Sequence, residues 1–169
     1  SLFEEAVTAA NKAVFEESAS HVEYEGMGTT VVACTLEENT LYIANIGDSR
    51  LYLIRDGIEQ ITDDHSLVEE MVKQGNITES EARIHPQKNI ITRALGINEE
   101  VQADFFEIDV EQGDVIMLCS DGLSNMIEDE DMEYIVKNSD TLQTAAESLV
   151  ARANENGGND NITVVLAEV

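Results

Sequence analysis

Positive charge is scarce in this sequence. Nine Lys and Arg stand against 35 Asp and Glu, a formal net charge of −26 over 169 residues. A nucleic-acid backbone or an anionic membrane surface would repel such a chain, so neither is expected as a partner. Cysteine is scarcer still. Cys34 and Cys119 each sit in an apolar run, "TTVVACTL" and "VIMLCSD", which reads as two buried free thiols of a reducing compartment rather than a disulfide. No apolar stretch approaches the length of a membrane span, and the opening "SLFEEAVTAANKAVFEE" has no basic leader, so the expected location is the cytoplasm. Proline occurs once, as Pro86, and no repeat, low-complexity tract or linker divides the chain. With 43% hydrophobic residues, residues 1–169 read as a single domain able to bury a proper core.

What is present alternates between two periods. Leu2, Phe3, Ala6, Val7, Ala10, Ala13 and Val14 recur at helical spacing, so the chain is expected to begin inside an amphipathic helix. Short strand-like segments follow, "TTVVACTLE", "TLYIANI", "RLYLIR" and "IEQIT", with "EEN" and "RDG" as hairpin turns between them. Connections this short predict an antiparallel meander. Two short helices are signalled by capping boxes, Ser66/Glu69 stopping at Gly75 and Thr78/Glu81 ending before Pro86. "QADFFEIDV" and "DVIMLCS" resume the strands, helices are expected near 128–137 and 141–154 with Asp140 as N-cap, and "NITVVLAEV" closes as a strand. Segregated strands and helices indicate an α+β fold.

Three aspartates share one setting. Asp48 in "ANIGDSRLYL", Asp121 in "LCSDGLSNM" and Asp160 in "NGGNDNITVVL" each stand at a strand end beside Gly, Ser or Asn. Taken singly, each is an ordinary turn residue. Taken together, small neighbours would let a cation and its waters approach, and oxygen-only donors with no His or Cys cluster suit Mg²⁺ or Mn²⁺ rather than zinc. A simple acidic calcium-binding domain is disfavoured, because no D-x-[DN]-x-[DN]-G pattern occurs. His21, His65 and His85 are scattered. His65 in "DDHS" is expected to cap or hydrogen-bond locally, and Arg93 in "TRALG" to pack against a carboxylate. Met71, Met117, Met126 and Met132 read as core.

"GMGTT" (26–30), "ANIGDSRLYL" (44–53), "ITDDHSLV" (61–68), "NIITRALG" (89–96), "LCSDGLSNM" (118–126) and "GGNDNITVVL" (157–166) stand in a characteristic order. In order and spacing they resemble the metal-dependent protein phosphatase 2C family, specifically its bacterial single-domain serine/threonine type, over nearly the whole chain. The resemblance implies an αββα sandwich of two antiparallel sheets flanked by helices. It implies hydrolysis of phosphoserine and phosphothreonine in proteins by metal-activated water, with two or three Mn²⁺ or Mg²⁺ ions and no protein nucleophile. By position, Asp121 and Asp160 resemble ligands of the two-metal centre, and Asp48 the ligand that with Asp121 holds a third metal. Segment 66–92 corresponds to the flap beside the cleft, which makes His85 and Arg93 candidates for substrate binding.

The resemblance also implies that the family's N-terminal part is not among these residues. That part carries an early acidic residue, a phosphate-binding arginine and an Asp-Gly-Met-Gly-Gly-His element. The chain alone is therefore expected to be inactive or weakly active, and prone to self-associate through exposed strand edges. The expected partners are phosphorylated proteins and a cognate serine/threonine kinase. The alternative reading is a non-catalytic regulatory or binding module on the same fold.

Overall fold

A computed structural model describes residues 1–169. The chain forms two compact units, one of Ser1–Cys34, Tyr42–Asp48 and Asp64–Phe106, the other of Thr35–Leu41, Ser49–Asp63 and Glu107–Val169. The fold is α+β, with two antiparallel sheets. One has the order β1 (Val31–Glu37), β2 (Thr40–Ile46), β5 (Asp104–Asp109). The other has the order β4 (Ile58–Gln60), β3 (Arg50–Ile54), β6 (Val115–Cys119), β7 (Val164–Glu168).

This topology corrects the expected meander. β2 and β3 are consecutive yet belong to different sheets, so "IGDSR" is a switch between sheets and not a hairpin. Gly47 makes the switch possible. Its φ of +103° suits a residue without a β-carbon, and a β-carbon there would lie 2.4 Å from the Thr30 methyl. The "RDG" turn is a hairpin as expected, pairing Ile54 with Ile58.

In the first unit, α1 (Leu2–Ser20) carries a capping box between Ser1 and Glu4. Its buried positions are Val7 and Asn11, while Leu2 points to solvent. Val7 packs with Ala44, Ile46 and Leu95, with Phe3, Val14 and Val31 around them. α2 (Leu67–Lys73) and α3 (Glu79–Ile84) fall where their caps predict. Thr78/Glu81 is a full reciprocal box; Ser66 supplies only its own half, accepting the Glu69 N–H.

The second unit is built on β3 and β6, the inner strands of their sheet. Tyr52 opposes Met117, and both are fully buried. Leu51, Tyr52, Leu53 and Ile54 are all buried, which is why β3 reads as a continuous apolar run without alternation. Against Tyr52, Ile54, Met117 and Cys119 pack Met132 and Val136 of α5 (Asp129–Lys137) and Ala145, Leu149 and Ala153 of α6 (Leu142–Glu155). The i, i+4 spacing of these residues puts them on one face of each helix. α6 is capped by Thr141, whose hydroxyl accepts the Thr144 N–H, and not by Asp140 as expected. A short helix the sequence did not suggest, α4 (Asp121–Ser124), follows β6 directly. Both cysteines are free thiols, Cys119 buried and Cys34 half-buried, where burial pushes the Cys34 thiol up. Met117 and Met132 are fully buried, as read from their apolar settings.

Candidate metal centre

The register of β6 with β7 brings two of the three aspartates together. Cys119 pairs with Val164, so the residues after β6 and before β7 leave the sheet at the same end. Ser120 stitches them. Its N–H donates to Thr163 O at 3.1 Å, its hydroxyl donates to Asn161 O at 3.2 Å, and the same hydroxyl accepts the Thr163 N–H at 3.0 Å. Beyond it, Asp121 begins α4. Gly122 lies so close to the opposite loop that a β-carbon there would stand 2.1 Å from Asn161 O. "SDG" and "NDN" are thus two halves of one structure, with Asp121 half-buried and Asp160 exposed. Asp160 Oδ1 accepts the Asn161 N–H at 2.7 Å, which fixes the turn. Asn156 Nδ2 donates to Met126 O at 2.8 Å and ties the end of α6 to the same region.

Asp48, His85 and Arg93 belong to the other unit. Asp48 is buried at 8% exposure, in the turn after β2. The residue before it, Gly47, is held from both sides by His65: Gly47 N–H donates to His65 Nδ1 at 3.0 Å, and His65 N–H donates to Gly47 O at 2.9 Å. With Nδ1 accepting, the proton of the neutral ring sits on Nε2, which lies 2.8 Å from Asp104 Oδ2. Arg93 Nη1 donates to the other oxygen of Asp104 at 2.8 Å. It also lies 3.2 Å from His65 Nε2, but two N–H donors do not bond each other; Asp104 serves both. Burial pushes the Asp104 carboxyl up, yet the hydrogen bonds from His65 and Arg93 outweigh it and hold the group below its ordinary value.

Arg93 is therefore engaged with a carboxylate, as its sequence setting suggested, and it lines an open cavity of about 560 Å³ with Ile91, Ile97, Glu100 and Val101. His85 ends α3, half-buried, with Nδ1 accepting the Gln87 N–H at 3.1 Å. The expectation that His65 caps or hydrogen-bonds locally is corrected: its partners are Gly47 and Asp104, far along the chain, while Ser66 is the cap. Sequence reasoning missed Asp104 entirely, since one acidic residue at a strand start among 35 carries no local signal.

The donor chemistry of Asp121 and Asp160, carboxylate oxygens beside tightly apposed backbone, fits a hard divalent cation. No group of three or more His, Cys, Asp or Glu side chains is arranged so that it could hold a metal ion by itself. These residues therefore fit as part of a ligand set.

Comparison with known proteins points one way. The family model described as Protein phosphatase 2C matches residues 1–167. The chain is 44% identical over 159 residues to the serine/threonine phosphatase stp of Listeria monocytogenes serotype 4b, covering 94% of this chain and 63% of that protein. It is 47% identical over 147 residues to the protein phosphatase PhpP of Streptococcus pneumoniae serotype 2, covering 86% and 60%. The chain thus spans less than two thirds of the length of these relatives. Among solved structures, Stp1 of Staphylococcus aureus superposes with a TM-score of 0.96 at 36% identity, over 99% of this chain and 66% of that one. The catalytic domain of the phosphatase PstP, solved in complex with two manganese ions, gives a TM-score of 0.89 at 37% identity, over 98% and 69%.

Proposed function

The chain belongs to the protein phosphatase 2C family, and we propose that it carries metal-holding carboxylates of a phosphoserine/phosphothreonine protein phosphatase. One observation carries the reading: Ser120 and Gly122 lock the Asp121 and Asp160 loops together at one end of a sheet. Asp121 and Asp160 would hold Mn²⁺ or Mg²⁺, with Asp48 holding a further ion. When bound, such ions acidify water and neutralise charge on the transferring phosphoryl group.

The side chains of this chain orient and exclude; none is placed as a nucleophile. Ser120 has its hydroxyl committed to Asn161 and Thr163. Cys119 is buried in the core beneath it. Arg93 is committed to Asp104, which leaves His85 as the flap candidate for substrate contact. Phosphorylated proteins are the substrates in this reading, a serine/threonine kinase is the opposing enzyme, and the cytoplasm is the site of action. No helix is long and apolar enough to cross a membrane. Val165 is 53% exposed on β7, the last strand of its sheet, and this edge is the surface through which the chain self-associates. Light scattering in moderate salt that finds only monomer at high concentration refutes that last point.

The test of function is turnover of a phosphothreonine peptide. Weak activity, abolished by EDTA, restored by Mn²⁺ and lost in Asp121→Asn, is expected. Undiminished turnover in excess EDTA sinks the proposal. Mn²⁺ binding without turnover favours the non-catalytic binding module.

A further inference from the structure

The hydrogen-bonded chain Arg93–Asp104–His65, of which His65 is the buried member, ends on the backbone of the residue that precedes Asp48. Gly47 has no latitude of its own. Its φ is +103°, and the Thr30 methyl fills the space where a side chain would go. Its N–H donates to His65 Nδ1 and its carbonyl accepts the His65 N–H, so one histidine holds both peptide units that set the direction of Asp48. His65 is itself tied on several sides. It is 4% exposed, its Nε2 is tied to Asp104, and its carbonyl accepts the Thr92 N–H at 2.8 Å. Asp104 is pinned by Arg93, whose Nη1 also donates to Gln102 O at 3.3 Å. Bonds at both ring nitrogens admit only one ring orientation and one neutral tautomer. Nothing in this arrangement is needed merely to close the turn, because glycine and the sheet switch already do that.

We propose that His65 is the positioning residue for Asp48, acting through Gly47, with Asp104 and Arg93 fixing the tautomer and orientation of its ring. The proposal rests on the reading of Asp48 as a metal ligand. A carboxylate that must meet a cation at a set distance gains from a turn with a single conformation, and partners one step removed from a metal ligand change its affinity by roughly tenfold to a hundredfold.

Two isosteres separate this role from a general contribution to folding. His65→Asn places a carboxamide oxygen where Nδ1 stood and keeps the acceptor for Gly47. His65→Gln places its amide near the Nε2 position and abandons Gly47. Mn²⁺ affinity is measured by titration calorimetry on the full chain, beside Asp48→Asn, with melting temperatures as the folding control. Expected is at least a roughly tenfold loss in His65→Gln, with His65→Asn close to wild type and Asp48→Asn weakest of the three. If Asp48→Asn weakens binding while His65→Gln does not, the His65 proposal is overturned and Asp48 remains a ligand. If Asp48→Asn binds as wild type, the reading of Asp48 itself fails and the role of His65 falls with it. Equal losses in the Asn and Gln variants also overturn it, since the Gly47 bond would then be irrelevant. Should His65→Gln not fold, hydrogen exchange at Gly47 in the wild-type chain decides: slow exchange is expected, and rapid exchange overturns the proposal.

Discussion

Asn161 O stands 2.1 Å from where a β-carbon on Gly122 would be built, so glycine at 122 is required by the approach of a second loop and not by its own backbone angles. Gly122→Ala must push the Asp160–Thr163 loop away from Asp121. Overpacking of this kind costs about 1–3 kcal/mol, a fall of roughly 5 °C in melting temperature for a chain of this size. Mn²⁺ affinity should fall with it. Calorimetry showing wild-type affinity would separate the loop contact from the metal centre.

Asp121→Ala is expected to be the most damaging single change to metal binding. Asp121 is half-buried and Asp160 exposed, and a carboxylate with less water around it attracts a cation more strongly. A loss of at least roughly tenfold in Mn²⁺ affinity is expected, by analogy with changes one step further from the metal. The fold should persist, because removing one carboxylate relieves repulsion in a chain of net charge −26. Asp160→Ala binding more weakly than Asp121→Ala contradicts this ranking.

Asp114 gives the clearest pH dependence. Arg55 binds it twice, Nε to Oδ1 at 2.8 Å and Nη2 to Oδ2 at 2.7 Å, and the Glu111 N–H donates to Oδ2 at 2.8 Å. The Arg55 hydrogen bonds, opposed by burial and helped by the Glu111 N–H, hold the carboxyl below its ordinary value. A group whose folded value is depressed adds stability above its unfolded value of about 3.9. That stability is lost as pH falls through the folded value. The stability difference between wild type and Asp114→Asn should be constant above about pH 5 and shrink below about pH 4. A difference that grows on acidification is the contrary result. At neutral pH, Arg55→Ala should lower the melting temperature by roughly 5 °C, because it strands a buried carboxylate.

Asn11 fills the only buried polar position of α1. Its Nδ2 donates to the carbonyls of Asn98 and Glu99, both at 3.0 Å, and its Oδ1 accepts the Gly96 N–H at 2.7 Å. Asn11→Leu keeps the size and strands three backbone groups, at about 1–3 kcal/mol for each that stays dry. A melting temperature lower by roughly 5–10 °C is expected. Faster hydrogen exchange should appear at Gly96. An unchanged exchange rate there shows that the peg is dispensable.

Much of the local architecture was legible. Thr78/Glu81 and Ser66 mark helix starts through side-chain bonds that span three residues, and such bonds form wherever the sequence puts the partners. The apolar stripes of α5 and α6 needed only the helical period to be seen, and the three aspartates were conspicuous because each interrupts a run at a strand end. The N-cap of α6 was misplaced by one residue, since Asp140 and Thr141 are both good caps and only the chain's entry angle chooses between them.

By itself, the sequence determined most of the strands and helices, three aspartates as candidates for metal binding, and the family to which the chain belongs. All of these rest on neighbours in the chain or on motif order. Tertiary structure alone decided which strands pair. β2 and β3 are equally apolar and look like hairpin partners, yet β3 pairs with β4 and β6, where Leu51, Tyr52, Leu53 and Ile54 are all buried. It also decided what surrounds each aspartate. The Asp160 loop meets the Asp121 loop through the register of β6 with β7, and His65 meets Gly47 and Asp104 through folds of the chain that no local pattern encodes. Hydrogen bonds between distant residues depend on where the backbone has already been carried, and hydrophobic burial, which has no direction of its own, does the carrying.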